Sequence, residues 1–530
     1  MVRKKVQVWL PLIFAVVMAL GMILGYKLRQ NTTGGDSFLH NSNTTPLQEA
    51  ISLIQNKYVD NVKMDSLEEP AINGLLDHLD PHSVFIPAKN LDEMNEDLQG
   101  NFQGIGIEFQ MINDTVNVMN VIPDGPSFKA GVQIGDKIIG VNDKANLTGK
   151  DVSTDDVRKE LRGADGSEVL VNILRGASTQ KIKIKRGIIP LYSLDAAYML
   201  DSTTGYIKLN KFAETTYREF MQAMEKLQKQ NMKKLVLDLR DNGGGIMQEA
   251  VEIADEFLDE DKLIVYTQGE HSPRADYRCS KDGVFEKGKL VVLVDETSAS
   301  ASEILSGALQ DWDRATIIGR RTFGKGLVQQ QFNLSDGSAM RLTVARYYTP
   351  LGRNIQKPYN KGRDEYEQEL INRYHDGELV IGDTAKPKGK AFKTPNGHLV
   401  YGGGGITPDI FVPFDTTSQP QPVIELFAKG TIRSFVYNYY IEHRNQLQQY
   451  KTTEQLHRQF HLGENEWNQL QTFAVRDSVN LKNVSAASKT FVLNQMENLL
   501  ARQIWRTEGF YEISNAGDPM IKKALEVMKQ

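Results

Sequence analysis

The stretch that most constrains this fold is residues 290–330, LVVLVDETSASASEILSGALQDWDRATIIGRRTFGKGLVQQ. Its first five residues, 290–294, are wholly apolar and read as a buried strand. A turn of small residues follows, holding Ser298, Ser300 and Ser302, and then an amphipathic helix with Ile304, Leu305, Ala308, Leu309 and Trp312 on one face. A second short apolar run, 316–319, leads to a glycine-flanked lysine, Lys325. A serine at the mouth of a strand–turn–helix is placed to be a nucleophile. Its oxygen is exposed, and the first helical N–H groups can hold a developing oxyanion. Ser300-Ala-Ser-Glu303 fits a capping box as well, in which Ser300 merely caps the helix. Lys325 adds what a cap does not need. A desolvated lysine loses its proton near neutral pH and can serve as general base to a serine. Gln329 lies at an even offset from it, so on a strand the two share a face and Gln329 can orient the amine.

The flanking sequence alternates strand and helix, as in a parallel or mixed α/β sheet. Residues 205–209 and 234–238 read as strands, and 215–230 as a helix with Phe220, Met224 and Leu227 on one face. The loop Asp241-Asn-Gly-Gly-Gly245 lacks the lysine–serine ending of a P-loop and the GxGxxG spacing, so it reads as an amide nest rather than a nucleotide cradle. Residues 263–267 and 338–346 are further strands, and the charged stretch 360–395 reads as an irregular surface insertion. Upstream, Gly104-Ile-Gly-Ile-Glu-Phe109 is a glycine loop followed by an alternating strand, the arrangement of peptide-binding PDZ domains. There an extended peptide adds to the strand edge while its carboxylate rests on loop amides, which points to Gly104, Ile105, Gly106 and Ile107.

Taken together, SASASEI, the lysine of FGKG with the VQQ after it, LDLRDNGGG (237–245), RYYTPLGRNIQ (346–356) and GITPDI (405–410) closely resemble the C-terminal processing, or tail-specific, serine proteases. The resemblance covers roughly residues 47–415. It implies Ser300 as nucleophile, Lys325 as general base and Gln329 as the residue holding the lysine. It implies an oxyanion hole from the N–H groups of Ala301 and of a glycine in the 243–245 loop, Gly244 being the expectation. It also implies substrates with exposed C-terminal tails, no metal or cofactor, gating by the PDZ domain, and helical flanks that drive homodimerisation. Asp80 and His82, in Leu79-Asp-Pro-His-Ser83, tempt as catalytic partners. Turn chemistry before a proline is the better account, and the resemblance puts this motif outside the active site.

Other chemistries find no footing. There is no HExxH and no GxSxG. His271 is the only histidine between about 190 and 370, so a Ser–His–Asp triad lacks a base. The lone Cys279 excludes an internal disulfide and a cysteine zinc site, and it sits in a charged stretch without a helix start beside it. The net charge of −5 gives no hint of nucleic-acid binding.

At 530 residues the chain should hold several domains. Arg3, Lys4 and Lys5 precede an uncharged, mostly apolar run, 8–26, which reads as an uncleaved signal anchor with the remainder exported. The expected organisation is multidomain α+β: signal anchor 1–30, linker 31–45, helical region 46–97, PDZ domain 98–187, α/β protease core 188–416 and C-terminal helical extension 417–530. The expected activity is that of a serine endopeptidase held at a bacterial inner membrane with its catalytic part in the periplasm. The alternative is a catalytically inactive, membrane-anchored PDZ scaffold that binds protein C-termini.

Overall fold

A computed structural model describes residues 14–25, 27, 45–142, 145–259, 261–382, 389–415 and 418–529. The chain divides into two compact units, Met1–Ala71 and Ile72–Gln530. In the first, residues 14–25 are helical. No helix among the described residues is long and apolar enough to cross a membrane, and much of the expected anchor and linker lies outside them. The helix Pro46–Lys57 starts on a full capping box, with Thr45 N donating to Gln48 Oε1 at 2.9 Å and Pro46 at the first position. The next helix, Asp65–Leu76, begins earlier than Pro70, which lies inside it.

In the second unit, the antiparallel pair Asn101–Gly104 and Gly187–Pro190 brackets a β-rich module. Its sheet runs Ile107–Ile112, Thr115–Val121, Lys137–Val141, Glu168–Arg175 and Ser178–Lys185, with the helix Thr154–Leu161 beside it. Val116, Val118, Ile138, Val157, Val171 and Ile173 form its core, all fully buried. The first hairpin turns at Asn113-Asp114, both at positive φ, residue types that tolerate that conformation.

The central sheet orders Leu194–Met199, Thr204–Leu209, Lys234–Asp238, Lys289–Val294, Thr316–Gly319 and Ile410–Phe411. The first pair is antiparallel and the rest are parallel. Side chains alternate across it. Leu235, Leu237 and Val292 meet Phe220, Leu227, Ile253 and Leu305 from the helices Thr216–Lys229, Met247–Asp255 and Ala301–Asp311. Val236, Val291, Leu293 and Ile318 face the other way and meet Met520, Ile521, Ala524 and Met528 of the last helix, Pro519–Lys529. That helix therefore covers the second face of the central sheet, although the sequence assigns it to a separate extension. Arg240 reinforces the contact through Asp518 at 2.6 Å.

A second, antiparallel sheet joins Val84–Ile86, Leu327–Asn333, Ala339–Tyr348, Leu263–Gln268 and Ala275–Arg278. The stretch expected to be irregular after residue 360 contains regular structure among its described residues. Arg363–His375 is a helix, pinned by buried Tyr366 and by Arg373, which donates to the carbonyls of Thr322 (2.8 Å) and Arg321 (3.2 Å). The remaining C-terminal helices pack Phe435, Tyr439, Trp467 and Met496 into their own core. The extension opens with two helices, Gln421–Ala428 and Thr431–Leu447, because Gly430 takes a left-handed conformation (φ +69°) between them.

Candidate active site

The strand Lys289–Val294 delivers the serine loop to the carboxyl end of the parallel strands, where α/β sheets place their ligands. Two of its serines are spent on structure. Ser298 Oγ donates to the Leu239 carbonyl (2.8 Å) and Ser302 Oγ to the Asn242 carbonyl (2.9 Å), and both residues are fully buried. Ser300 is half-buried and its hydroxyl makes no cap hydrogen bond. The Glu303 N–H goes to the Ser300 carbonyl instead (2.8 Å), so only the Glu303 half of the capping box forms. Ser300 sits at φ +54°, outside the conformations a non-glycine residue ordinarily takes, at a cost of about 1–3 kcal/mol. That strain turns its side chain out of the capping position.

Glu303 holds the site together. Its fully buried carboxylate accepts from Ser300 N (2.9 Å) and Lys325 N (2.8 Å) on one oxygen, and from Gly324 N (2.8 Å) and Thr322 Oγ1 (2.5 Å) on the other. Burial raises it to about 7, while these four donors favour the ionised form. From the other side, the buried Tyr347 hydroxyl donates to the Lys325 carbonyl (2.5 Å) and lies 3.2 Å from the Ser300 carbonyl. The serine and lysine main chains are thus stapled twice.

Lys325 Nζ donates to Gln329 Oε1 at 3.0 Å, and Gln329 Nε2 donates to the His82 carbonyl. Burial pushes the lysine amine below its ordinary range, and Arg341 pushes it further; Asp80 and Glu303 oppose. The three residues expected to act together are therefore linked by one hydrogen-bond network through Glu303. Ser300 Oγ and Lys325 Nζ are not hydrogen-bonded to each other in this conformation.

The expected oxyanion donors fare differently. Ala301, first residue of its helix, has an N–H without a partner among the described residues. Gly244 does not: its N–H is committed to Asn242 Oδ1 (2.9 Å), and Asn242 Nδ2 donates to the Leu209 carbonyl (3.1 Å), which fixes that amide. What Gly244 supplies is room. At φ +94°, a Cβ there would stand 2.7 Å from Ser300 Cβ and 2.9 Å from Ala301 N. The N–H groups of Gly243 and Gly245 have no partner among the described residues.

In the β-rich module, a groove of about 300 Å³ runs between the strand Ile107–Ile112 and the helix Thr154–Leu161. Gly104, Ile105, Gly106, Ile107 and Leu161 line it, and the Ile105 and Gly106 N–H groups have no partner among the described residues. A larger cavity of about 850 Å³, beside the strand Thr316–Gly319, contains none of the residues named for catalysis. Cys279 is buried and its thiol is pushed up to about 12, first by burial and then by Asp255, so it is no nucleophile. Among the described residues, no cluster of histidine, cysteine or acidic side chains could hold a metal.

Comparison with known proteins decides the family. Residues 203–362 match peptidase family S41, 103–185 match the PDZ domain, and 26–90 match the N-terminal domain of the activating protease CtpB. Over 343 residues the chain is 34% identical to a probable CtpA-like serine protease of Staphylococcus aureus (strain N315), covering 64% of this chain and 68% of that one. The chain is an S41 peptidase. A Staphylococcus haemolyticus (strain JCSC1435) relative of the same description is 34% identical over 347 residues, 64% of this chain and 69% of its own. Among solved structures, the photosystem II D1 C-terminal processing protease is 32% identical, with 58% of this chain and 83% of that chain covered and a TM-score of 0.35. Residues 423–506 of the peptidase match a family of unknown function.

This serine-type peptidase of the C-terminal processing family carries its PDZ domain ahead of the catalytic sheet. Sequence reasoning missed three of its supports. Glu303 looked like half a capping box, and nothing local marks Tyr347 as a staple. His82, expected outside the site, places its carbonyl on Gln329. Its ring is no base: it lies 2.8 Å from the Tyr366 hydroxyl, and burial lowers it to about 4.

Proposed function

We propose that the peptidase cleaves proteins near unstructured C-terminal tails with a Ser300–Lys325 dyad. The observation that carries this reading is the fate of the three loop serines: Ser298 and Ser302 are hydrogen-bonded and buried, whereas Ser300 alone keeps its hydroxyl for chemistry. The groove beside Ile107–Ile112 takes the substrate's tail as an added strand, its carboxylate on the Ile105 and Gly106 amides. Neutral Lys325 accepts the Ser300 proton as the oxygen attacks the scissile carbonyl. The tetrahedral oxyanion rests on the Ala301 N–H, with a second amide from the 243–245 loop other than Gly244 in its present conformation. Lys325 returns the proton to the leaving amine, and water then resolves the acyl-enzyme. The basic residues and apolar run at the N-terminus support anchoring with the catalytic part outside the cytoplasm.

The test compares wild type with Ser300→Ala and Lys325→Ala on an unfolded protein bearing an apolar C-terminus, with fragments followed by intact mass. Wild-type cleavage with both variants folded and silent is expected. Equal behaviour of all three would leave a PDZ scaffold as the reading.

A further inference from the structure

The dyad depends on Gln329, and the structure gives Gln329 a second contact from a distant part of the chain. Its side chain is held at both ends. Oε1 accepts from Lys325 Nζ (3.0 Å), and Nε2 donates to the main-chain carbonyl of His82, which precedes it by 247 positions. That carbonyl belongs to the turn Asp80–Ser83, upstream of the PDZ domain. The turn is built by one carboxylate: Asp80 Oδ1 accepts from His82 N (2.8 Å) and Ser83 N (2.9 Å), and Oδ2 from Ser83 Oγ (2.6 Å). Asp80 is 8% exposed and Ser83 2%.

The turn is also stitched to the strand facing Gln329. Gln329 pairs with Thr343 across the sheet, and Thr343 N donates to Ser83 Oγ at 3.1 Å. Val84, the next residue, opens a strand that pairs with Arg341. A register shift between Val328 and Gln329 re-aims the Gln329 side chain. The His82 ring packs edge-on against Phe323 of the lysine loop and against Tyr366.

We infer that the Asp80–Ser83 turn is a positioning device for the dyad, fixing which end of the Gln329 amide faces Lys325. The chemistry explains why that matters. A neutral lysine has one lone pair, which must point at the serine hydroxyl. A glutamine oxygen accepts one of its N–H groups and leaves that lone pair free. A flipped amide would present N–H groups to the lone pair and occupy the base. The His82 carbonyl, a pure acceptor, accepts only from the Nε2 end and so prevents the flip. Asp80, His82 and Ser83 touch no reacting atom; apart from the Asp80 charge, which holds the lysine amine up, they act through Gln329, so kcat is compared on the alkaline plateau where Lys325 is neutral. The inference rests on the Ser300–Lys325 reading.

The experiment is a double-mutant cycle on the full chain, measuring kcat and KM for tail cleavage and the melting temperature of each variant. Asp80→Ala is expected to lower kcat about 10–100-fold, the scale on which removing an orienting outer partner acts, with KM within about twofold. In a Gln329→Ala background the same substitution should change kcat by less than about twofold, because the residue it acts through is gone. Ser83→Ala repeats the cycle, removing the two bonds of that hydroxyl and leaving the Asp80 carboxylate in place, should Asp80→Ala fold poorly, and Ser83→Thr, which keeps the hydroxyl, should retain activity. Equal loss from Asp80→Ala and Ser83→Ala in both backgrounds would overturn the inference and leave the turn a general support. Activity surviving Ser300→Ala, or a Gln329→Ala enzyme as fast as wild type, would instead overturn the dyad reading on which the inference stands.

Discussion

Replacing Glu303 tests whether the carboxylate staple holds the Ser300 and Lys325 main chains in register. Glutamine keeps one acceptor oxygen and turns the other into a donor. Placed toward Ser300 N and Lys325 N, the new amide nitrogen would orphan two buried main-chain donors. Placed toward Gly324 N and Thr322 Oγ1 it orphans one main-chain donor, because the Thr322 oxygen, which already accepts from Ile406 N, has a second lone pair for the amide. The second orientation wins. Each orphaned buried donor costs about 1–3 kcal/mol, so Glu303→Gln should loosen the lysine loop by about that amount. Glu303→Ala removes all four bonds, three of them from main-chain N–H groups, and should cost about 3–9 kcal/mol. Hydrogen exchange of peptides spanning 298–304 and 320–328 reads this directly. At about 1.4 kcal/mol per tenfold, Glu303→Gln should speed exchange there about 5- to 150-fold and Glu303→Ala far more, with the PDZ domain unchanged. Wild-type exchange in Glu303→Ala would refute the staple.

Further consequences concern pH, packing and the last helix. As the proposed base Lys325 must be neutral to act, and its amine is depressed, so activity should fall on acidification; an undiminished rate below about pH 5 would remove it as base. Arg341 is one cause of that depression, so Arg341→Gln should raise the lysine pKa and shift the acid limb of kcat/KM toward higher pH; a shift the other way contradicts the assignment. Gly244→Ala forces a Cβ to 2.7 Å from Ser300 Cβ and should cost about 100-fold in kcat while peptide binding by the PDZ groove is retained, measurable by fluorescence anisotropy. Ending the chain at Gly517 strips Met520, Ile521 and Met528 from the sheet, roughly 1.5–3 kcal/mol each. The sum is comparable to a domain's whole stability, so the truncated enzyme should be unfolded or inactive at 37 °C by circular dichroism and cleavage assay.

Much of this was legible because it is local. The strand expected over 234–238 is Lys234–Asp238, and the helix expected over 215–230 is Thr216–Lys229, since alternation and 3.6-residue periodicity report which side chains a backbone can bury. The motif order supplied the family. The insertion after 360 was misread because its surface is charged while its anchors are single residues, Tyr366 and Arg373, too few to make a pattern. At Gly244 a glycine's absent side chain and its N–H are separate assets, and sequence cannot tell which one the fold uses.

By itself, then, the sequence determined the catalytic sheet, the serine and lysine loops, the PDZ module and the family, all features written in residues close together along the chain. Tertiary structure alone decided which of the three serines keeps a free hydroxyl, which carboxylate staples the loops, and that Gln329 leans on His82. It also decided that the final helix, expected in an extension, forms the underside of the catalytic sheet. The physical reason is common to these cases. A hydrogen bond or a packing contact between segments hundreds of residues apart depends on where each segment's polar groups and apolar face end up. Neither partner's local sequence carries a periodicity that names the other.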